Sequence, residues 1–214
     1  MSQAEGGARE LSRTAHAMAE TLLGRGFVAA AFDDREAALE HLFSLIPEDS
    51  TVGLGGSMTL AALGVVERLR EGPYRLIDRY AAADWAATMT AYREALRSQV
   101  FVTGVNAITR AGELVCVDSS GNRVAAMIFG PEKVIVLAGV NKVVADLEEA
   151  FARLRRIAPL NCRRLHHATP CAETGICADC LGPERMCNYT GIIHHGFKEK
   201  DRIHVILLAE ELGF

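Results

Sequence analysis

Residues 133–138 read Lys-Val-Ile-Val-Leu-Ala, a lysine followed by an unbroken apolar run. A strand with one wet face alternates polar and apolar side chains. A strand apolar on both faces belongs in a parallel sheet with helices covering each side. Arg202 to Ala209 (RIHVILLA) has the same character. Outward from these two runs, short strand-like segments at Phe27–Phe32, Thr51–Leu54, Tyr74–Asp78, Val100–Thr103 and Leu114–Asp118 alternate with helical periodicity. The helical segments are 7–24, then one capped by Asp33 or Asp34 and ended by Pro47, and one from the glycine turn at 53–59 to about Arg70. Trp85 to Gln99, Arg123 to Phe129 and about Val143 to Ile157 complete the set. This alternation predicts an α/β fold of three layers around a mostly parallel sheet. Pro159 is expected to open a polar, irregular region. Because a last core strand follows it, residues 159–190 are read as a cysteine-rich insertion carried by a single α/β domain over 1–214.

The chain has 214 residues, 50% of them hydrophobic, a length that buries a real core without disulfide staples. Twenty-three basic against 27 acidic residues give a net charge of −4, which excludes a general pull toward nucleic acid or anionic membrane. No apolar run reaches the roughly 18 residues of a membrane span. The opening MSQAEGGARELSRTAH lacks the apolar region of a signal peptide, so a cytoplasmic location is expected. In that reducing compartment the six cysteines are expected to be reduced, metal-bound or redox-active.

Two places carry chemistry. The first is the turn Gly53-Leu-Gly-Gly-Ser-Met-Thr59 between a strand and a helix. Gly55 and Gly56 let a ligand approach the backbone, while Ser57, Thr59 and the helix start offer donors to a phosphate or carboxylate. There is no lysine for a Walker A loop, and Met58 stands where the dinucleotide fingerprint needs glycine. Asn106 and Thr109 follow the 100–103 strand, Asn122 follows the 114–118 strand, and Lys142 follows KVIVLA. All of them should fall at the carboxyl edge of the sheet, where α/β proteins bind ligands. The expected roles are Asn106 orienting a substrate, Lys142 supplying countercharge, and Gly55, Gly56, Ser57, Thr59, Thr109 and Asn122 lining the site. Turn formation and capping account for the same residue types without a ligand.

The second is the box Cys171-x5-Cys177-x2-Cys180-x6-Cys187, which holds four of the six cysteines in 17 residues. That is roughly eightfold above the chain's own frequency, too dense for chance. Four thiolates on a loop suit either zinc or an iron–sulfur cluster, and the spacing does not choose between them. A disulfide pair and unliganded thiols stand as alternatives. His166, His167, His194 and His195 flank the box as substitute ligands or acid–base groups. Cys116 lies in an apolar strand and reads as core, and Cys162 is a fifth thiol near the box.

With these pieces in place, the sequence resembles the lactate-utilization (LUD-domain) family, in its stand-alone form with a cysteine-rich C-terminal segment. The likeness is carried by GGSMTL at 55–60, FVTGVNAIT at 101–109, GELVCVDSSGNRVAAMIFGPEKVIVLAGVNK at 112–142, TPCAETGICADCLGPERMCN at 169–188 and RIHVILLAEELGF at 202–214. It implies a fold similar to ribose-5-phosphate isomerase and CoA-transferase domains. It also implies a place in lactate oxidation beside iron–sulfur partner proteins. Asn106 stands in the loop where sugar-phosphate isomerases of this fold place catalytic acids, which argues against ring-opening chemistry. The expected ligands are a small anionic metabolite and either an iron–sulfur cluster or zinc, with self-association left open. A transferase or hydrolase acting on a phosphorylated or CoA-linked metabolite, and a zinc-stabilised interaction module, are the competing readings.

Overall fold

The two apolar runs lie side by side, with residues 203–208 in parallel register with 134–139. The computed structural model describes residues 3–214. Its elements in chain order are α1 (Gln3–Gly24), β1 (Val28–Phe32), α2 (Arg35–Ser44), β2 (Thr51–Leu54), α3 (Met58–Ala62) and α4 (Val65–Glu71). There follow β3 (Arg75–Ile77), α5 (Trp85–Ala95), β4 (Val100–Thr103), β5 (Ala107–Thr109), β6 (Leu114–Asp118), α6 (Asn122–Ile128) and β7 (Lys133–Gly139). A 3-10 turn (Val140–Lys142) leads to β8 (Val143–Val144), α7 (Leu147–Arg164), α8 (Pro170–Thr174), β9 (Tyr189–Ile193) and β10 (Ile203–Leu208). No helix among the described residues is long and apolar enough to cross a membrane.

The main sheet has six strands in the order β1-β10-β7-β4-β2-β3, every neighbouring pair parallel. Alternate side chains of each strand feed opposite cores. Phe101, Val134, Val136, Val205 and Leu207 pack with α1 and α6 on one face. Val100, Val102, Ile135, Leu137, Ile206 and Leu208 pack with α2, α3 and α4 on the other. The predicted three-layer α/β arrangement is therefore present, and the continuous apolar runs are explained by burial on both faces.

Three expectations need correction. The 114–118 strand does not join the main sheet; β6 sits in a second, four-stranded sheet of order β8-β5-β6-β9. The short members β5, β8 and β9 escape a periodicity search because runs of two to five residues show no clear period. The helix expected from the glycine turn to Arg70 breaks at Gly64, whose φ of 64° caps α4 in the left-handed region. Pro159 does not end its helix: α7 continues through it to Arg164. The lost backbone bond is tolerated where Ile157, Ala158, Pro159 and Cys162 form a buried stripe. The irregular region thus starts after α7.

The exits of β2 and β4 position the site. β2 turns into α3 on one face of the sheet, while β4 runs into β5, β6 and α6 on the other. Neighbouring parallel strands whose connections leave in opposite directions open a crevice at their carboxyl ends.

Candidate functional site

Close approach of the two exits governs the crevice. Gly55 N donates to Val102 O at 2.9 Å. A Cβ on Gly55 would overlap the Thr103 hydroxyl, and one on Gly104 would overlap Ser57 Oγ, so glycine is required at both positions. Ser57 Oγ accepts from Leu60 N at 3.3 Å and caps α3.

Asn106 and Arg123 form the next layer. Asn106 Oδ1 accepts from Val117 N at 3.0 Å and from Arg123 Nη2 at 2.7 Å. Two donors on one atom fix the amide orientation and make Nδ2 the remaining donor of the side chain. The Arg123 guanidinium pairs with Asp118 at 2.8 Å, and both are buried. Asp118 also accepts from Val124 N at 2.6 Å, holding the start of α6. Burial acts to lower the pKa of Arg123, but Cys116 and Asp118 outweigh it and the net shift is upward.

Arg79, two residues past β3, supplies a cation that the sequence reading missed. Its Nη1 would lie 3.1 Å from a Cβ on Gly56. Its guanidinium stacks over Tyr92 at 4.6 Å and Tyr80 at 5.2 Å, a geometry that orients the charge without neutralising it. No carboxylate among the described residues is paired with it. The rule applied to the other strand ends, to inspect the residues just beyond them, finds Arg79 as well.

The remaining expected residues divide. Lys142 is buried at the end of β7 and donates to Phe214 O. Burial, then Arg153 and Arg123, lower its pKa to about 8. Thr59 Oγ1 donates to Leu212 O at 3.3 Å, and Asn141 Nδ2 to Gly213 O at 3.3 Å, so the chain after β10 folds across this edge. Thr109 is brought elsewhere: its hydroxyl donates to Glu113 at 2.8 Å, and Glu113 meets His194 at 3.0 Å. Asn122 begins α6 beside Arg123.

In the cysteine box, α7 and α8 bring the buried thiols of Cys162 and Cys171 to 3.8 Å. Cys177, Cys180 and Cys187 are half-buried, and all of these cysteines are free. Arg185 donates to Cys187 O at 3.0 Å and to Cys180 O, and pairs with Asp179 at 2.8 Å. Burial, then the neighbouring thiols Cys162 and Cys177, push Cys187 up to about 11. Among the described residues, no three His, Cys, Asp or Glu side chains are drawn together as a ready metal cage. The thiols are gathered but not closed around a centre. His167 pairs with Glu184 at 2.9 Å, and His195 stacks on Phe197. Cys116 is buried with its sulfur 3.3 Å from Met127 Sδ, as a core residue should be.

The fold defines an α/β protein with a six-stranded parallel sheet covered by helices on both faces. The chain belongs to the LUD domain family, whose model matches residues 15–208. Membership supports reading it as a lactate-utilization-type protein. Among solved structures it is similar to a DUF162 family protein from Deinococcus radiodurans, at TM-score 0.51 and 12% identity over 92% of this chain and 98% of that one. A D-ribose-5-phosphate isomerase in complex with phospho-erythronic acid shows TM-score 0.36 and 17% identity, over 59% of this chain and 66% of that one. The eIF2B-beta2-delta2 complex from C. thermophilum gives TM-score 0.35 and 17% identity, over 51% of this chain and 41% of that one. No curated protein matches significantly.

Proposed function

We propose that the crevice between β2 and β4 binds a small carboxylate or phosphate, and that the protein takes part in organic-acid oxidation as a component beside iron–sulfur proteins. The observation that carries this reading is Arg79, a guanidinium oriented by two tyrosines at the mouth of a glycine turn, with no carboxylate partner among the described residues. Gly55 sets the tight turn, Gly56 would admit the anion to the backbone, Ser57 and Asn106 Nδ2 would orient it, and Lys142 would add charge. The cysteine box of Cys171, Cys177, Cys180 and Cys187 would hold a metal ion or an iron–sulfur cluster, since thiolates are ligands for both. The chemistry such a group supplies is electron transfer if iron is bound and rigidity if zinc is bound.

Calorimetric titration with lactate, ribose 5-phosphate and CoA tests the ligand class. Lactate should bind, and Arg79→Ala should weaken it about 10- to 100-fold, the size of losing one charge-assisted contact of about 1.5–3 kcal/mol. Arg79→Lys should recover part of the loss. Binding of CoA alone would overturn the reading in favour of a CoA-linked metabolite.

A pH dependence follows from Lys142. Its ammonium is charged below about 8 and neutral above. Anion affinity should therefore fall as pH rises through that value, and Lys142→Met should flatten the profile. An unchanged wild-type affinity about one pH unit either side would remove Lys142 from the site.

A further inference from the structure

We propose that Lys142 and Arg153 form a carboxylate-binding subsite at the β7 end of the crevice, and that residues 210–214 lie across it as a strap which the ligand displaces. This rests on the reading above that the crevice takes an anion, to which it adds a second cation and a moving part. Spacing along the chain hides Arg153, because it stands two turns into α7. In the fold its Nε donates to Asn106 O at 2.9 Å, which brings the guanidinium to the residue whose Oδ1 is held by Arg123. Nη2 of the same guanidinium is buried and has no hydrogen-bond partner. A buried donor left without an acceptor is costly and uncommon, and calls for a physical explanation.

Lys142 shares the predicament. It is 3% exposed, and burial first, then Arg153 and Arg123, disfavours its charge. No Asp or Glu side chain among the described residues is paired with either cation. Glu149 is taken up by Ala145 N at 2.6 Å. At Arg153, burial and then Arg156 outweigh Glu149 and Glu211, so its pKa is lowered. Two like charges held under cover repel each other. One carboxylate, with an oxygen on Lys142 Nζ and the other on Arg153 Nη2, would give both a countercharge and the spare donor an acceptor.

The cover is specifically seated. Val140 N donates to Glu210 O at 3.0 Å, Leu212 N to Asn141 Oδ1 at 3.1 Å, and Lys142 Nζ to Phe214 O. Gly139 lets the segment approach, since a Cβ there would overlap Glu210 O. Gly213 turns the segment at a φ of 62°, in the left-handed region that favours glycine. The strap therefore offers Lys142 one neutral carbonyl and offers Arg153 Nη2 nothing. A ligand carboxylate serves both, and that difference in interaction is what would let it take the place of Phe214 O.

The test titrates the full chain with lactate at neutral pH by calorimetry and follows the strap by hydrogen exchange. Arg153→Met should weaken lactate about 10- to 100-fold, the loss of one charge-assisted contact. Its urea midpoint should stay at or above that of wild type, because the change removes an unpartnered donor and a like charge; a residue with a merely structural role would lower it. Arg153→Lys should recover part of the affinity. Lactate should speed exchange of the Leu212 amide, which the closed strap holds on Asn141. Gly213→Ala strains the strap at a distance from both cations and should tighten lactate by up to about fivefold. That variant also decides the matter if Arg153→Met fails to fold, since unchanged or weaker binding overturns the strap. Lactate binding that depends on Arg79 but not on Arg153 overturns the subsite and leaves the crevice reading intact. Dependence on Arg153 but not on Arg79 does the reverse, and failure of wild type to bind lactate overturns both.

Discussion

Arg123→Leu should destabilise the protein by about 3–5 kcal/mol in urea unfolding, the usual cost of leaving one partner of a buried pair without the other. Arg123 meets Asp118 at 2.8 Å and both are enclosed by β6, α6 and the 104–106 turn. Its other bonds go to Asn106 Oδ1, Val117 O and Gly104 O, so leucine would abandon several acceptors together. Asp118 would keep Val124 N as a donor but would lose its countercharge. The double variant Arg123→Leu with Asp118→Asn should recover a good part of the loss, because a neutral amide is far less costly to bury than a lone carboxylate. A single-variant loss below about 1 kcal/mol would mean the pair is hydrated and carries none of this burden.

Phe101→Ala should cost a similar amount, about 3–5 kcal/mol, for a different reason. Phe101 is 1% exposed in the middle of β4. Its ring fills space left by Gly53 on the adjacent strand, where a Cβ would lie 3.0 Å from Phe101 Cδ2 and 2.8 Å from Ala95 Cβ. On the Gly53 side the ring faces a glycine, which has nothing to extend into a vacated volume. The cost of a cavity depends on how far its walls can collapse, so this site should sit toward the upper end of the range. Phe101→Leu should lose much less, because it keeps most of the volume. Thermal and urea unfolding of the pair checks both; equal losses for Ala and Leu would show that ring shape, not volume, sets the cost.

Much of the main sheet is legible in the sequence because burial on two faces writes itself as uninterrupted apolar runs, as in β7 and β10. The second sheet is not. Residues 107–109 and 143–144 are too short to show a period, and their pairing depends on partners distant in the chain. The Pro159 signal misleads because a proline penalty of a few kcal/mol is overridden by a long buried helix face. In the crevice, Gly55, Ser57 and Asn106 are readable as turn chemistry at strand ends. Arg79 is within reach of the same strand-end rule, but its orientation by Tyr80 and Tyr92 and the burial of Arg123 emerge only from packing. The same holds for Cys162, whose nearness to Cys171 belongs to two helices rather than to a motif.

The junction after the cysteine box carries one more consequence. Asn188, next to Cys187, donates from its backbone to Asp118 O at 3.0 Å and from its side chain to Ser119 O at 3.1 Å. β9 then runs on as the antiparallel neighbour of β6. Asp118 is the partner of Arg123, so Asn188 and the strand after it join the thiol loop to the buried ion pair beside the crevice. Order gained at one end reduces the entropy left to lose at the other; if the crevice takes the proposed anion and the loop the proposed ion, reciprocity requires each to tighten the other's site equally.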